Sequence, residues 1–144
     1  MSEDSKEMAG GGSSGMTWDV RFSDPVDGAY LEKVLNAWIM CVADSLAREG
    51  RMMGHLKSVF RCDRGWISLN LVDLRLGTDS RRSLEGQVTA GRMKIMAALL
   101  GFDDMTIRRG IEEGTERFVR DRSGPLELRP VGRDEKMMSM EGTL

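Results

Sequence analysis

The sequence predicts a single small α+β domain in the order β-α-β-β-α-α, with a three-stranded sheet that carries its helices on one face. Three observations lead to this prediction. Alternating apolar residues mark strands, apolar residues at helical spacing mark helices, and glycine or proline separates most of these segments. A length of 144 residues leaves room for one hydrophobic core.

Both ends of the chain are predicted to contribute little to that core. Residues 1–15 contain almost no apolar side chain and end in a Gly/Ser run, which is typical of a disordered tail. Residues 122–144 are interrupted by glycine and proline and form a mostly flexible tail, in which only Leu126 and Leu128 alternate as a short edge strand. The predicted α+β domain therefore spans residues 16–121.

The first two elements follow from two different periodicities. A half-buried strand is predicted where apolar and polar residues alternate. Its apolar residues are Trp18, Val20 and Phe22. A helix follows, with either Asp24 ahead of Pro25 or Asp27 as its N-cap, and Gly50 at its C-terminal end. The apolar face of this helix comprises Leu31, Val34, Leu35, Trp38, Val42, Ser45 and Leu46.

Two strands are predicted next, at about residues 53–62 and 66–72, joined through the sequence DRG at residues 63–65. The register of this hairpin has two solutions. A type I turn with a glycine bulge places Phe60 opposite Ser68, whereas a tighter two-residue turn places one apolar set on a single face. That set is Leu56, Phe60, Ile67, Leu69 and Leu71.

A loop and two helices complete the predicted domain. Residues 77–86 are polar and bracketed by glycines, which is typical of a loop. Helices are predicted at about residues 87–100 and 103–120, separated by a glycine turn. Asp103 or Asp104 is the predicted N-cap of the second of these helices.

Composition excludes several classes of protein. A net charge of −2 and a pI near 5.5 give no overall electrostatic reason to expect nucleic acid or anionic lipid as a partner. The longest apolar run, residues 37–43, is about a third of the ~20 residues that a membrane span needs, and the N-terminus lacks the order of a signal peptide. We therefore expect a cytoplasmic protein without a membrane partner. One histidine and two cysteines are too few for a zinc site of four such ligands, so neither a metal nor a cofactor is predicted.

One segment resembles a DNA-binding motif. Residues 96–111 read MAALLGFDDMTIRRGI, with a small residue, a turn glycine, an apolar turn residue and an aspartate cap in sequence. The segment is similar to the helix-turn-helix of bacterial transcription regulators, in particular to the winged type. This resemblance implies a recognition helix in which Thr106, Arg108 and Arg109 contact DNA.

The same segment also fits two helices that simply pack together. Glu112, Glu113 and Glu116 continue the second helix on its solvent face, where they would oppose a phosphate backbone. The apolar stripe of this helix includes Gly110 and Gly114, which favour close approach to another helix or to a partner subunit. This second interpretation requires no nucleic acid.

A second candidate site lies in the loop predicted at residues 77–86. Arg81 and Arg82 lie there between two serines, shortly before a predicted helix. Guanidinium groups and helix N-terminal amides together bind anions, so this pair is a candidate anion site. The alternative is a loop that is simply solvated.

A catalytic site has weaker support. His55 is the only side chain whose ordinary pKa suits acid–base catalysis near neutral pH, and one hairpin register places it opposite Asp73. A hydrolase would also need Ser58 or Ser68 as nucleophile together with an oxyanion hole, for which the sequence offers no pattern. No catalytic residue is therefore predicted.

These observations predict a small non-enzymatic module that binds a protein partner or associates with itself. The well-patterned domain, the glycine-lined helix face and the lack of a complete catalytic set support this prediction. The alternative function is that of a nucleic-acid-binding regulator that uses residues 96–111.

Overall fold

The computed structural model describes residues 10–122 and 126–131, in which six strands form one sheet and two helices pack on one of its faces. In chain order the elements are β1 (Gly11–Val26), α1 (Gly28–Leu46), β2 (Gly54–Cys62), β3 (Gly65–Leu71), β4 (Asp79–Leu84), β5 (Val88–Leu100), α2 (Asp104–Asp121) and β6 (Leu126–Pro130). The strand order across the sheet is β4-β3-β2-β5-β1-β6. Each neighbouring pair of strands is antiparallel.

The predicted three-stranded sheet in the order β-α-β-β-α-α is wrong, because the chain forms β-α-β-β-β-β-α-β. The predicted loop at residues 77–86 contains β4, a polar strand at the edge of the sheet. The predicted helix at residues 87–100 is instead β5. These two segments, together with β6, turn a three-stranded sheet into a six-stranded one.

Parts of both predicted tails belong to the sheet. β1 begins at Gly11, inside the segment predicted to be a disordered tail. β6 contains Leu126 and Leu128 and lies beside β1 at the other edge of the sheet. This agrees with the edge strand that the alternation of these two leucines predicts. Residues 1–9, 123–125 and 132–144 of the two predicted tails lie outside the described residues.

β5 is a strand because it pairs with a neighbour on each side, β1 and β2, over most of its length. Its residues include alanine, leucine and methionine, which are strong helix formers. Its buried residues nevertheless alternate along the chain, as in a strand with one face on the core. They are Met93, Ile95, Ala97 and Leu99. Pairing on both sides overrides the helical propensity of this segment.

The β2–β3 hairpin adopts the tighter of the two registers. Cys62 pairs with Gly65, and Phe60 lies opposite Ile67, so the apolar residues of both strands share the face that meets the helices. Gly65 has a φ of 136°, and a Cβ atom there would lie 1.8 Å from the carbonyl oxygen of Ser83. Glycine at this position therefore allows β4 to approach the end of the hairpin.

Trp38 of α1 lies at the centre of the core, with no exposed surface. Its ring stacks on Phe118 of α2 with 5.6 Å between centroids and meets Trp18 of β1 edge-on at 5.2 Å. Its Nε1–H donates a hydrogen bond to Thr115 Oγ1 at 2.8 Å, so the one polar atom of this buried ring has a partner. Trp38 thus connects both helices to the sheet.

The N-cap of α1 is Asp27, whose carboxylate accepts a hydrogen bond from the backbone N–H of Tyr30 at 2.8 Å. We expect Asp27→Ala to lower the free energy of unfolding by about 1 kcal/mol, because an N-terminal amide of the helix loses its partner. Asp24→Ala is the matched control, since Asp24 is exposed and is the other cap that the sequence offers. Urea denaturation compares the two variants, and equal losses of stability would contradict the capping role of Asp27.

Candidate functional site

The sheet face opposite the helices, here called the open face, is the most distinctive surface of the protein. Side chains alternate between the two faces of a strand, so residues that lie between the buried ones belong to this face. In β5, for example, Met93 and Ile95 face the helices, whereas Arg92 and Lys94 point the other way. No element within residues 10–122 and 126–131 packs on the open face.

Four cations lie together at the centre of the open face and are here called the cationic patch. Lys57 and Arg61 belong to β2, and Arg92 and Lys94 belong to β5, the strand paired with it. All four are exposed. Arg61 lies directly opposite Arg92 in the antiparallel ladder. Like charges in this position destabilise a sheet, so the arrangement weakens the pairing of β2 with β5.

Only one member of the cationic patch has an anionic partner among the described residues. Arg92 Nε lies 2.9 Å from Asp19 Oδ1, and both side chains are about half exposed. Within the same part of the chain, Lys57, Arg61 and Lys94 form no ion pair. Most of the positive charge of the patch is therefore available to a ligand.

Positive charge extends over the rest of the open face. Its cations are Arg21, Lys57, Arg61, Arg81, Arg92, Lys94 and Arg129, and its carboxylates are Asp19, Asp79 and Glu127. Cations thus outnumber carboxylates on this face, although the whole chain has a net charge of −2. The charge of the protein is distributed unevenly, and the near-neutral total conceals a cationic surface.

Apolar groups lie among these cations. Trp66 of β3 is 38% exposed and lies directly opposite Arg61 in the ladder. Val59 lies opposite Lys94, and Met96, which is 39% exposed, lies opposite Lys57. The open face therefore offers an aromatic ring and aliphatic surface next to positive charge.

The shape of the open face suits an extended ligand. Two half-open depressions share Arg61 and Arg92. One continues towards Lys57 and Lys94, and the other continues across β1 towards Arg21. Because the two depressions adjoin at these two arginines, one long ligand can contact both of them.

The segment that resembles a helix-turn-helix is not a pair of helices. Its first part, up to Leu100, is the end of β5, and α2 begins only at Asp104. The helix predicted over residues 87–100 is therefore absent, and with it the first helix of the motif. The second helix is confirmed, with Asp103 as its N-cap.

The predicted DNA-contacting residues lie on the first turns of α2. The backbone N–H of Thr106 donates to Asp103 Oδ1 at 2.8 Å, Arg108 Nε lies 3.6 Å from Glu112 Oε2, and Arg109 is exposed. The Thr106 side chain and backbone N–H together lower the pKa of the Asp103 carboxyl, and the charge of Arg109 adds to this effect. Contact of these residues with nucleic acid stays a prediction.

The predicted anion pair is divided by β4. Ser80 and Arg82 face α1, where both contact the carboxylate of Glu32, with Arg82 Nη1 at 2.8 Å from Glu32 Oε1. Arg81 lies opposite Ser68 and belongs to the open face. The strand thus places Arg81 and Arg82 on opposite sides of the sheet, and the two are not brought together around one ligand.

Two of the residues considered for hydrolysis have other hydrogen-bond partners. The Asp73 carboxylate accepts hydrogen bonds from Arg75, through its backbone N–H at 2.9 Å and its Nη2 at 3.2 Å. These bonds, the side-chain one foremost, lower the pKa of Asp73. Among the described residues, no hydrogen bond joins His55 to Asp73. The buried Ser58 hydroxyl donates to the carbonyl oxygen of Leu69 at 3.1 Å, and it faces the helices.

Residues 10–122 and 126–131 contain neither a metal-binding cluster nor a membrane-spanning helix. No group of three or more histidine, cysteine, aspartate or glutamate side chains is placed there to hold a metal ion. Neither of the two helices has the length and apolar character that crossing a membrane requires.

Sequence reasoning missed the cationic patch. The available signal is the alternation of cations with buried residues, as in Lys57 and Arg61 of β2 or Arg92 and Lys94 of β5. It becomes informative only when β5 is recognised as a strand and paired with β2.

Comparison with known proteins adds nothing to this picture, because the chain matches no protein-family model, no curated protein and no solved structure.

Proposed function

We propose that this chain is a small non-enzymatic binding module that takes a polyanionic partner on its open face. The observation that carries this proposal is the position of Arg61 directly opposite Arg92, in a patch where three of four cations form no ion pair among the described residues. Opposed like charges weaken the sheet, although the Asp19 carboxylate neutralises part of the charge of Arg92. Features that reduce stability are typical of functional sites.

The charge of the open face also indicates what kind of partner it takes. A second copy of the chain placed face to face on it would bring two sets of cations together, and this repulsion opposes self-association through this surface. A partner with regularly spaced negative charges would instead contact the cationic patch and Arg21 at the same time. The binding role predicted from the sequence is thus retained, with a polyanion as the partner.

Arg61→Glu tests this proposal through two measurements that move in opposite directions. The substitution places a carboxylate opposite Arg92, so we expect the free energy of unfolding to stay constant or rise by about 0.2–1 kcal/mol. Binding to immobilised heparin, a polyanion without bases, is expected to weaken, so that the variant elutes at a lower salt concentration than the unmodified chain. Greater stability combined with weaker binding would show that the positive charge of Arg61 contributes to ligand binding and not to the stability of the sheet.

Arg109→Glu is the matched control, because it makes the same change of charge at an exposed residue of α2, away from the open face. It should elute from heparin close to the unmodified chain. A loss of retention in Arg109→Glu that exceeds the loss in Arg61→Glu would assign polyanion binding to α2, where the sequence predicts nucleic-acid contact, and would overturn the proposal. Lack of any retention at low salt would also overturn it.

A further inference from the structure

We infer that the polyanion is a single-stranded nucleic acid, with one base stacked on Trp66 and phosphates on the cationic patch. This inference rests on the proposed function and names the ligand of the same surface. It depends on the position of an exposed aromatic ring next to exposed cations on one face of a sheet, a combination that proteins use to bind single-stranded nucleic acids.

Trp66 differs from the other tryptophans of the chain. Trp18 and Trp38 are 3% and 0% exposed and belong to the core, whereas Trp66 is 38% exposed. It lies on the open face because it pairs with Arg61, which belongs to that face. A large indole at this position is not needed to fill the core, and its exposed surface is available to a planar partner.

The spacing of the cations suits a sugar–phosphate backbone. Neighbouring strands lie about 4.8 Å apart and alternate residues of one strand lie roughly 6.5 Å apart, so the members of the cationic patch are separated by distances of this order. Successive phosphates of an extended single strand have a similar separation. A single-stranded nucleic acid that crosses β3, β2 and β5 would therefore place a base on Trp66 and phosphates beside Arg61 and Arg92.

Two other polyanions fit the surface less well. A DNA duplex keeps its bases stacked inside, and its major groove admits a helix or a two-stranded ribbon, not the face of a six-stranded sheet. An acidic polypeptide would contact the same cations, but a run of carboxylates offers no planar group to Trp66. The exposed indole therefore favours a single strand over both alternatives.

Fluorescence anisotropy with a labelled twelve-nucleotide oligothymidylate tests the inference. We expect Trp66→Ala to weaken binding roughly tenfold or more, because one stacked base is lost, while the dependence of affinity on salt stays the same. Trp66→Phe, which keeps an aromatic ring, should retain most of the affinity. Trp66→Thr repeats the test with a residue that favours strands, in case the alanine variant folds poorly.

Tyr30→Ala is the matched control, since Tyr30 is also an exposed aromatic residue, 41% exposed, but lies on α1. It should leave oligothymidylate affinity unchanged. Equal affinity of the folded Trp66 variants and the unmodified chain for oligothymidylate would overturn the inference. So would tighter binding of a duplex or of polyglutamate of the same charge. If the Trp66 variants bind normally but Arg61→Glu still reduces heparin retention, the polyanion function stands and only the single-stranded ligand is excluded. If the unmodified chain is not retained on heparin either, the proposed function and this inference both fail.

Discussion

Trp38→Ala is expected to lower the free energy of unfolding by about 3–5 kcal/mol, which is the range for removing a large buried aromatic side chain. The loss is large because the ring fills the space between α1, α2 and β1, where it contacts Phe118 and Trp18. Alanine would leave a cavity bordered by both helices and the sheet. Denaturant unfolding measures the effect, and a loss below about 1 kcal/mol would contradict a central role for this residue.

A double-mutant cycle separates the hydrogen bond of Trp38 from its packing. Thr115→Val keeps the volume at position 115 but leaves Trp38 Nε1 buried without an acceptor, so we expect it to destabilise the fold by about 1–3 kcal/mol. In a Trp38→Phe background the same substitution should have a smaller effect, because the donor is already absent. Equal effects of Thr115→Val in both backgrounds would show that the hydrogen bond contributes nothing.

Gly114→Ala is expected to destabilise the fold by about 1–3 kcal/mol, although alanine favours helix more than glycine does. The reason is the crossing of the two helices. A Cβ atom on Gly114 would lie 2.5 Å from the Cα atom of Val42 and 2.9 Å from the carbonyl oxygen of Cys41. Both contacts are with the backbone of α1, which has no side-chain rotamer by which to move away, so the helices would have to separate.

The control for Gly114→Ala is Gly28→Ala, the same substitution at the first residue of α1. A Cβ atom on Gly28 would meet its nearest neighbour at 3.6 Å, an ordinary contact. We expect this variant to be neutral or more stable by up to about 1 kcal/mol, because only the helical propensity changes. If thermal or denaturant unfolding shows that Gly114→Ala is tolerated equally well, the close approach of α1 and α2 at this residue is wrong.

Some of this fold follows from patterns that are short in sequence. The alternation at Trp18, Val20 and Phe22 predicts the central part of β1, and the helical spacing after Asp27 predicts α1. Each pattern indicates which face of one element meets the core, so it can be recognised within the sequence of that element alone. For α2, the cap at Asp103 is equally local, because it joins a side chain to a backbone N–H in the first turn of the same helix.

Other parts depend on neighbours that are remote in sequence. β4 has no regular apolar alternation, because it is an edge strand whose inward side chains, Ser80 and Arg82, contact Glu32 of α1. β5 contains helix-forming residues and becomes a strand because β1 and β2 pair with it on both sides. Neither interaction can be inferred from the composition of the segment alone.

The sequence by itself determined the core-facing residues in the middle of β1, the apolar faces of α1 and α2, and the near-neutral charge of the whole chain. Only the tertiary structure decided where that charge lies. Arg61 and Arg92 are distant in the sequence and become neighbours through the pairing of β2 with β5, while Trp66 joins them through the pairing of β3 with β2. A total charge is a sum over residues and carries no positions, whereas a binding surface depends on which strands lie side by side.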